Sequence, residues 1–174
     1  SIKEKFEPLS PESFISGAIE SVQAHAVRKD IDIVPSIEDP ISAVYGDKGT
    51  LTEVLVNLCN NAIKFSYTGS KVTITAAEKD DQVVITVSDK GVGIAEEDLP
   101  FVFEDFYKGK PGPGFEKGHG LGLALCRRII ETHNGAVSVN SELGKGTTLE
   151  IRLPAYVPDL ESQPETQSVV IASP

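Results

Sequence analysis

Apolar residues recur along this chain in two rhythms, one of three to four residues and one of two, and the switches between them mark out the elements. Ser10-Pro11-Glu12 reads as an N-cap, a proline at the first helical position and an early acid. Ile15, Ile19, Val22 and Ala26 then follow at helical spacing, which predicts a helix over 11–28. Ile31, Ile33 and the stretch 43–45 are short strand candidates, separated by a turn-rich run from Pro35 to Pro40. A second helix is predicted from Asp47, which can cap it, to Phe65; Thr50 with Glu53 forms an alternative capping box. Leu51, Val54, Leu55, Leu58 and Ala62 share one side of its wheel, with Glu53, Asn57, Asn61 and Lys64 as a polar stripe beside them.

Period-two alternation takes over at Val72, Ile74 and Ala76 and again at Val83, Ile85 and Val87, a hairpin turning in the polar stretch 78–81. After a Gly/Pro-rich loop over 108–120, Leu121, Leu125, Ile129 and His133 predict a third helix, with Gly135 able to end it in a left-handed cap. Val137 and Val139, then Leu149, Ile151 and Leu153, predict a second hairpin around Gly144 and Gly146. Hairpins with helices between them imply an α+β fold, a two-layer α/β sandwich with helices on one face of a mixed sheet. The folded body is expected over 1–154. Residues 155–174, with three acids, no base and no periodicity, read as a linker or tail.

Composition narrows the function. The 174 residues suit one domain, and no apolar run approaches the roughly 18 residues of a membrane span. Sixteen basic against 26 acidic residues give a net charge of -10, the wrong sign for a nucleic-acid binder. Cys59 and Cys126 sit in helix-like apolar patterns and are expected as buried thiols of a reducing compartment. The chain has no methionine and is read as a piece of a longer or processed protein.

Three motifs carry candidate chemistry. The stripe Asn57, Asn61 and Lys64 can offer amide oxygens to a hard cation and an ammonium to phosphate, or can be a solvated face; Asn60 is expected to point to solvent. Asp89-Lys90-Gly91-Val92-Gly93-Ile94 follows a strand, where a fixed carboxylate can accept from an exocyclic amine and the glycines let backbone approach a flat ring; an ordinary turn would look the same. Gly118-His119-Gly120-Leu121-Gly122 opens a helix, and glycines there expose N–H groups suited to an anion despite their helix-propensity cost. His119 can donate to phosphate or face solvent. A fourth stretch, Gly144-Lys145-Gly146-Thr147, reads as a glycine hairpin.

The order NLCNNAIKF, DKGVGI, FVFEDFY, GHGLGL, GKGT resembles the N, G1, F, G2 and G3 boxes of the catalytic, ATP-binding domain of sensor histidine kinases, within the GHKL group that includes DNA gyrase B and a heat-shock chaperone. The match runs from about Phe6 to Pro154. It implies a Bergerat-type sandwich holding ATP under a flexible lid over 108–117, with Asn61 on Mg2+ and Asn57 and Lys64 by the phosphates. Phe65, Asp89, Gly91, Gly93, Ile94 and Thr147 would surround adenine. Gly118, His119, Gly120, Leu121 and Gly122 would form the hinge and phosphate-facing helix start, and Phe101, Phe103 and Phe106 the F box. Lys108 stands where the family usually has Arg, exchanging a planar fork for a point charge; His119 replaces a common Thr or Ser, and Lys90 a frequent Asn.

By this resemblance the chain is expected to bind ATP and Mg2+ and to transfer the γ-phosphate, with Asn57 and Lys108 as catalytic groups. The acceptor would be a histidine on dimerisation helices upstream of Ser1, and a response regulator would follow. None of His25, His119 and His133 lies in a phosphoacceptor context. The rival readings are a hydrolytic ATPase, an anti-sigma-factor serine kinase and a nucleotide-binding pseudokinase. The hydrolytic relatives carry Glu where Asn57 stands, and an amide cannot take a proton from water. The segment is expected to be cytoplasmic and monomeric, without nucleic acid or direct membrane contact, whether or not the parent protein is membrane-anchored.

Overall fold

A computed structural model describes residues 1–104 and 122–158. Strand β1 (Glu7–Leu9) leads into helix α1 (Pro11–Arg28), then β2 (Asp32–Ile37), β3 (Val44–Gly46) and α2 (Lys48–Phe65). The hairpin β4 (Lys71–Lys79) and β5 (Gln82–Asp89) precedes a 3-10 turn at Glu96–Phe101. Helix α3 (Leu123–Thr132) and the hairpin β6 (Ala136–Glu142) and β7 (Gly146–Pro154) complete the order. The main sheet runs β2-β4-β5-β7-β6, parallel only between β2 and β4, while β1 and β3 form a separate antiparallel pair. The mixed sheet under helices is the expected α+β architecture.

Helices α1 and α2 each start where a side chain can satisfy a free N–H group. Ser10 accepts from the Ser13 amide at the head of α1, and Asp47 from the Thr50 amide at 2.9 Å at the head of α2. Asp47 is thus the cap, rather than the alternative box at Thr50. Seven residues of α2 are buried, among them Leu51, Leu55, Leu58 and Ile63. They form one core cluster with Phe14, Ile15 and Val22 of α1 and the inward sides of β4, β5 and β7, including Ile74, Ile85 and Ile151. At about 1.5–3 kcal/mol per fully buried large aliphatic side chain, this face holds α2 flat on the sheet.

Four expectations need correction. The run Pro35 to Pro40 is not wholly turn, because β2 continues through Pro35 to Ile37, paired in parallel with Ile74 to Ala76. An edge strand tolerates a residue with no N–H to donate. The left-handed residue after α3 is Asn134 (φ 59), not Gly135. Asn134 and Gly135 donate to the carbonyls of Glu131 and Ile130, closing a Schellman cap, and Gly135 is required instead because a Cβ would lie 2.4 Å from the Arg152 carbonyl. The buried side of α3 is Leu123, Cys126, Ile130 and the cap residue His133, whereas Leu125 is 46% exposed; two adjacent apolar stripes run along this helix and the sheet selects one. Asn60 does not simply face solvent, since its Oδ1 lies 3.0 Å from His25 Nδ1 and links α2 to α1.

Past β7, Ala155 bridges to Val44, the Tyr156 amide donates to the Ala43 carbonyl at 2.7 Å, and the Tyr156 ring stacks on Tyr45. The chain therefore stays on the body two residues beyond Pro154. His133 joins the end of α3 to the start of α2: the Ile129 carbonyl accepts from its Nδ1–H at 2.7 Å, and its Nε2 accepts from the Asp47 amide at 3.1 Å. Gly46 is needed beside it, because a Cβ there would sit 2.5 Å from the imidazole. Among the described residues, no helix is long and apolar enough to cross a membrane.

Candidate functional site

Between the last turns of helix α2 and the ends of β5 and β7 lies a small, partly open cleft of about 30 Å³. Asn61 and Phe65 from α2, Asp89, Gly93 and Ile94 from the strand end and loop, and Thr147 from β7 line it, with Ala62, Val87, Leu123 and Leu149 as apolar wall. Six residues singled out in the sequence are thus brought together around one apolar space. Gly91 belongs to the same loop: a Cβ on it would lie 2.0 Å from the Phe65 carbonyl, so the loop passes α2 only as glycine. Gly93, at φ 71, meets the Glu142 carbonyl in the same way at 2.2 Å.

The polar centre of the cleft is Asp89. Burial pushes its carboxyl up to about 6, while the backbone amides of Thr147 and Gly91 and the charge of Lys29 pull it part-way back. Its Oδ1 is buried and has no hydrogen-bond partner in the protein. An orphaned buried acceptor costs about 1–3 kcal/mol or more, so this atom marks a place where a ligand donor would fit. Lys29, from the end of α1, donates to the carbonyls of Ile63 and Lys64 at the end of α2. Its own pKa is lowered by burial, with Asp89 opposing that shift. The sequence offered only the small signal of a lysine following an amphipathic helix.

The remaining α2 residues point elsewhere. Asn57 donates its Nδ2 hydrogens to the Gly122 carbonyl at 3.1 Å and to Cys126 Sγ at 3.4 Å, fastening α2 to the start of α3. Lys64 Nζ lies 5.4 Å from the centre of the Phe65 ring. Gly122 caps α3 at φ 66 with no side-chain bond, so it precedes the first turn of the helix rather than lying within it. Phe103 packs against the core, Phe101 is 47% exposed, and Val102 between them is buried. Phe106, Lys108, Gly118, His119, Gly120 and Leu121 lie outside the described residues, as does the expected lid.

Ser141 is the second residue that pattern reading missed. On β6 it accepts from the Ile94 amide at 2.8 Å, donates to the Gly146 carbonyl at 2.9 Å and lies 2.7 Å from Thr147 Oγ1. It therefore ties the Asp89 loop to the turn before β7. Cys59 and Cys126 are free and buried, with thiols pushed up by burial to about 12 and about 11, which makes them inert packing groups.

The family described as histidine kinase-, DNA gyrase B- and HSP90-like ATPase matches residues 46–157. The chain belongs to this family. The adaptive-response sensory kinase SasA of Synechococcus elongatus is 33% identical over 152 residues, which are 87% of this chain and 38% of SasA. The chain therefore spans less than half of that relative. A nucleotide-free catalytic domain of histidine kinase ThkA superposes with a TM-score of 0.76 at 26% identity, covering 86% of this chain and 95% of that one. Full-length ShkA in complex with AMPPNP gives 0.75 at 30% identity, covering 88% of this chain and 32% of ShkA. The cleft thus lies in an ATPase-family domain, and every residue that lines it falls in the matched segment; Lys29, whose charge acts on Asp89, precedes that segment.

Proposed function

We propose that this chain is the catalytic, ATP-binding part of a sensor histidine kinase. It would hold ATP with Mg2+ and pass the γ-phosphate to a histidine on a separate dimerisation and phosphoacceptor domain, from which a response regulator receives it. The observation that carries this reading is the buried, unpartnered Asp89 Oδ1 in a largely apolar cleft. It supports an adenine whose exocyclic amine donates to Asp89, with Phe65, Ile94 and Leu123 against the ring and Gly91 and Gly93 letting the backbone close in. ShkA, with its AMPPNP, supports a nucleotide in the same fold.

At the phosphate end the roles fall to Asn61, Lys64, Gly122 and, from the sequence, Lys108, Gly118, His119, Gly120 and Leu121. Among the described residues no group of three His, Cys, Asp or Glu side chains gathers, so Asn61 would hold the metal together with phosphate and water oxygens, as suits Mg2+. Bound there, Mg2+ would neutralise phosphate charge. Asn57 holds α3 in register through Gly122 and, being an amide, cannot take a proton from water; this favours transfer over hydrolysis. Lys108 would neutralise charge developing on the transferred group. Buried, unpaired Cys59 and Cys126 support a reducing, cytoplasmic setting.

The test is to incubate the protein with γ-labelled ATP and a histidine-bearing helical hairpin as phosphoacceptor. An acid-labile phosphohistidine on the hairpin, none on the chain itself, and slow ATP hydrolysis by the isolated chain are expected. Brisk hydrolysis would contradict the reading in favour of an ATPase, and nucleotide binding without transfer in favour of a pseudokinase. Lys108→Ala is expected to lower transfer more than it lowers ATP affinity.

A further inference from the structure

The hydrogen bonds at Ser141 fix where one proton in the cleft lies. A serine hydroxyl has one hydrogen and two acceptor lone pairs. The Gly146 carbonyl cannot donate, so it receives the serine hydrogen at 2.9 Å. The Ile94 N–H occupies one lone pair at 2.8 Å. Only the second lone pair is left for Thr147 Oγ1 at 2.7 Å, and so the threonine hydroxyl must be the donor of that contact. Its single hydrogen is thereby committed, and Thr147 can meet a ligand only as an acceptor.

Thr147 is the register partner of Asp89 across β5 and β7, which puts the two side chains next to each other on one face of the sheet. Both line the cleft, and Asp89 Oδ1 is itself an acceptor without a partner. Two acceptors side by side, one of them without a partner, suit a ligand group that carries two hydrogens. We propose that Ser141 is a positioning residue that orients the Thr147 hydroxyl, so that Thr147 and Asp89 form a two-acceptor edge selecting an exocyclic amine on the base, directly or through one bridging water. This rests on the nucleotide reading of the cleft and adds to it the residue that sets base selection. A threonine hydroxyl free to rotate would donate to a ring nitrogen or accept from an amine with little preference.

Ser141 also anchors the loop at Ile94, so its loss weakens binding of any nucleotide; base preference separates the two roles. The experiment measures the affinities of ATP and of purine riboside triphosphate, which lacks only the amine, for the wild type, Ser141→Ala, Ser141→Thr, Thr147→Val and the Ser141→Ala/Thr147→Val double variant. The wild type is expected to prefer ATP by roughly tenfold or more, the scale of a hydrogen bond to a charged group. Ser141→Ala and Thr147→Val should each cut that preference by about threefold or more, the double variant no further than Thr147→Val, and Ser141→Thr should restore it. Thr147→Val leaves both remaining Ser141 bonds in place and keeps the test decisive if Ser141→Ala folds poorly. An unchanged preference in Ser141→Ala, or in Thr147→Val, would overturn the role of Ser141 while leaving the nucleotide site standing. Failure of the wild type to bind either triphosphate would overturn the reading of the cleft and this inference with it.

Discussion

The side-chain amide of Asn57 donates to the carbonyl of Gly122 at 3.1 Å, joining the middle of α2 to the residue on which α3 begins. The two positions are 65 residues apart, and the contact places the start of α3 at one end of the cleft. It also explains the glycine. A Cβ at Gly122 would lie 2.6 Å from Asn57 Nδ2, and the residue sits at φ 66.

Gly122→Ala is therefore expected to destabilise the fold by about 1–2 kcal/mol from the left-handed conformation alone, with the clash in addition. Asn57→Ala makes room for the methyl group, so the double variant should recover part of the loss. Thermal melts of the three variants check this, and strictly additive losses would count against the direct contact.

Asp89 gives the stability an unusual pH dependence. Its carboxyl is raised from 3.8 to about 6, so between those values the folded state binds more protons than the unfolded chain, and this group's contribution falls as pH rises. Above about pH 6 the cost of the buried charge is complete, on the order of 3 kcal/mol from the size of the shift. Melts of Asp89→Asn should lack that step and lie above wild type at neutral pH. Lys29→Met removes the charge that holds the carboxyl down and should move the step to higher pH. A wild-type and Asp89→Asn pair with parallel pH profiles would refute the burial of a charged carboxylate.

Asn60 and Asn61 are neighbours with separable tasks. Asn61→Ala is expected to abolish most of the Mg2+-dependent part of ATP affinity, read by calorimetric titration with and without the metal. Asn60→Ala removes the bond to His25 and should cost about 1 kcal/mol of stability with little change in that difference. Equal effects of the two variants on Mg2+-dependent affinity would contradict the assignment.

How far the sequence could be read depends on how local the cause was. Helices α1 and α2 were legible because Ser10 and Asp47 sit directly before an apolar stripe of period 3.6, and the cap and the stripe agree. The hairpins were legible from strict alternation, although the first turns through Asp80 and Asp81 at φ 51 and 60 with no glycine or asparagine to announce it. Pro35 hid β2, since proline in a strand becomes readable only once the strand is known to lie at an edge. The face of α3 stayed ambiguous because Leu125 and Ile129 compete with Leu123, Cys126 and Ile130, and only the sheet beneath decides. At the site, Asn61, Asp89 and Gly93 stand out because each lies in a short stretch that carries its own chemistry, whereas Thr147, in a stretch that reads as a glycine hairpin, is pointed to only by the family resemblance. Lys29 and Ser141 do not stand out, for their partners at Ile63, Lys64, Ile94 and Thr147 are brought to them by the packing of α1 on α2 and of β6 beside β7.

The most direct measurement is calorimetric titration of ATP and ADP into the wild type and Asp89→Asn at neutral pH. Replacing the acceptor Oδ1 by an amide removes a hydrogen bond to a charged group, about 1.5–3 kcal/mol. The account predicts that both nucleotides bind the wild type and lose roughly ten- to hundredfold in affinity for the variant, by the same factor for each because the contact is to the base, while the variant melts at a higher temperature than the wild type. Wild-type affinity for both nucleotides in Asp89→Asn would contradict it.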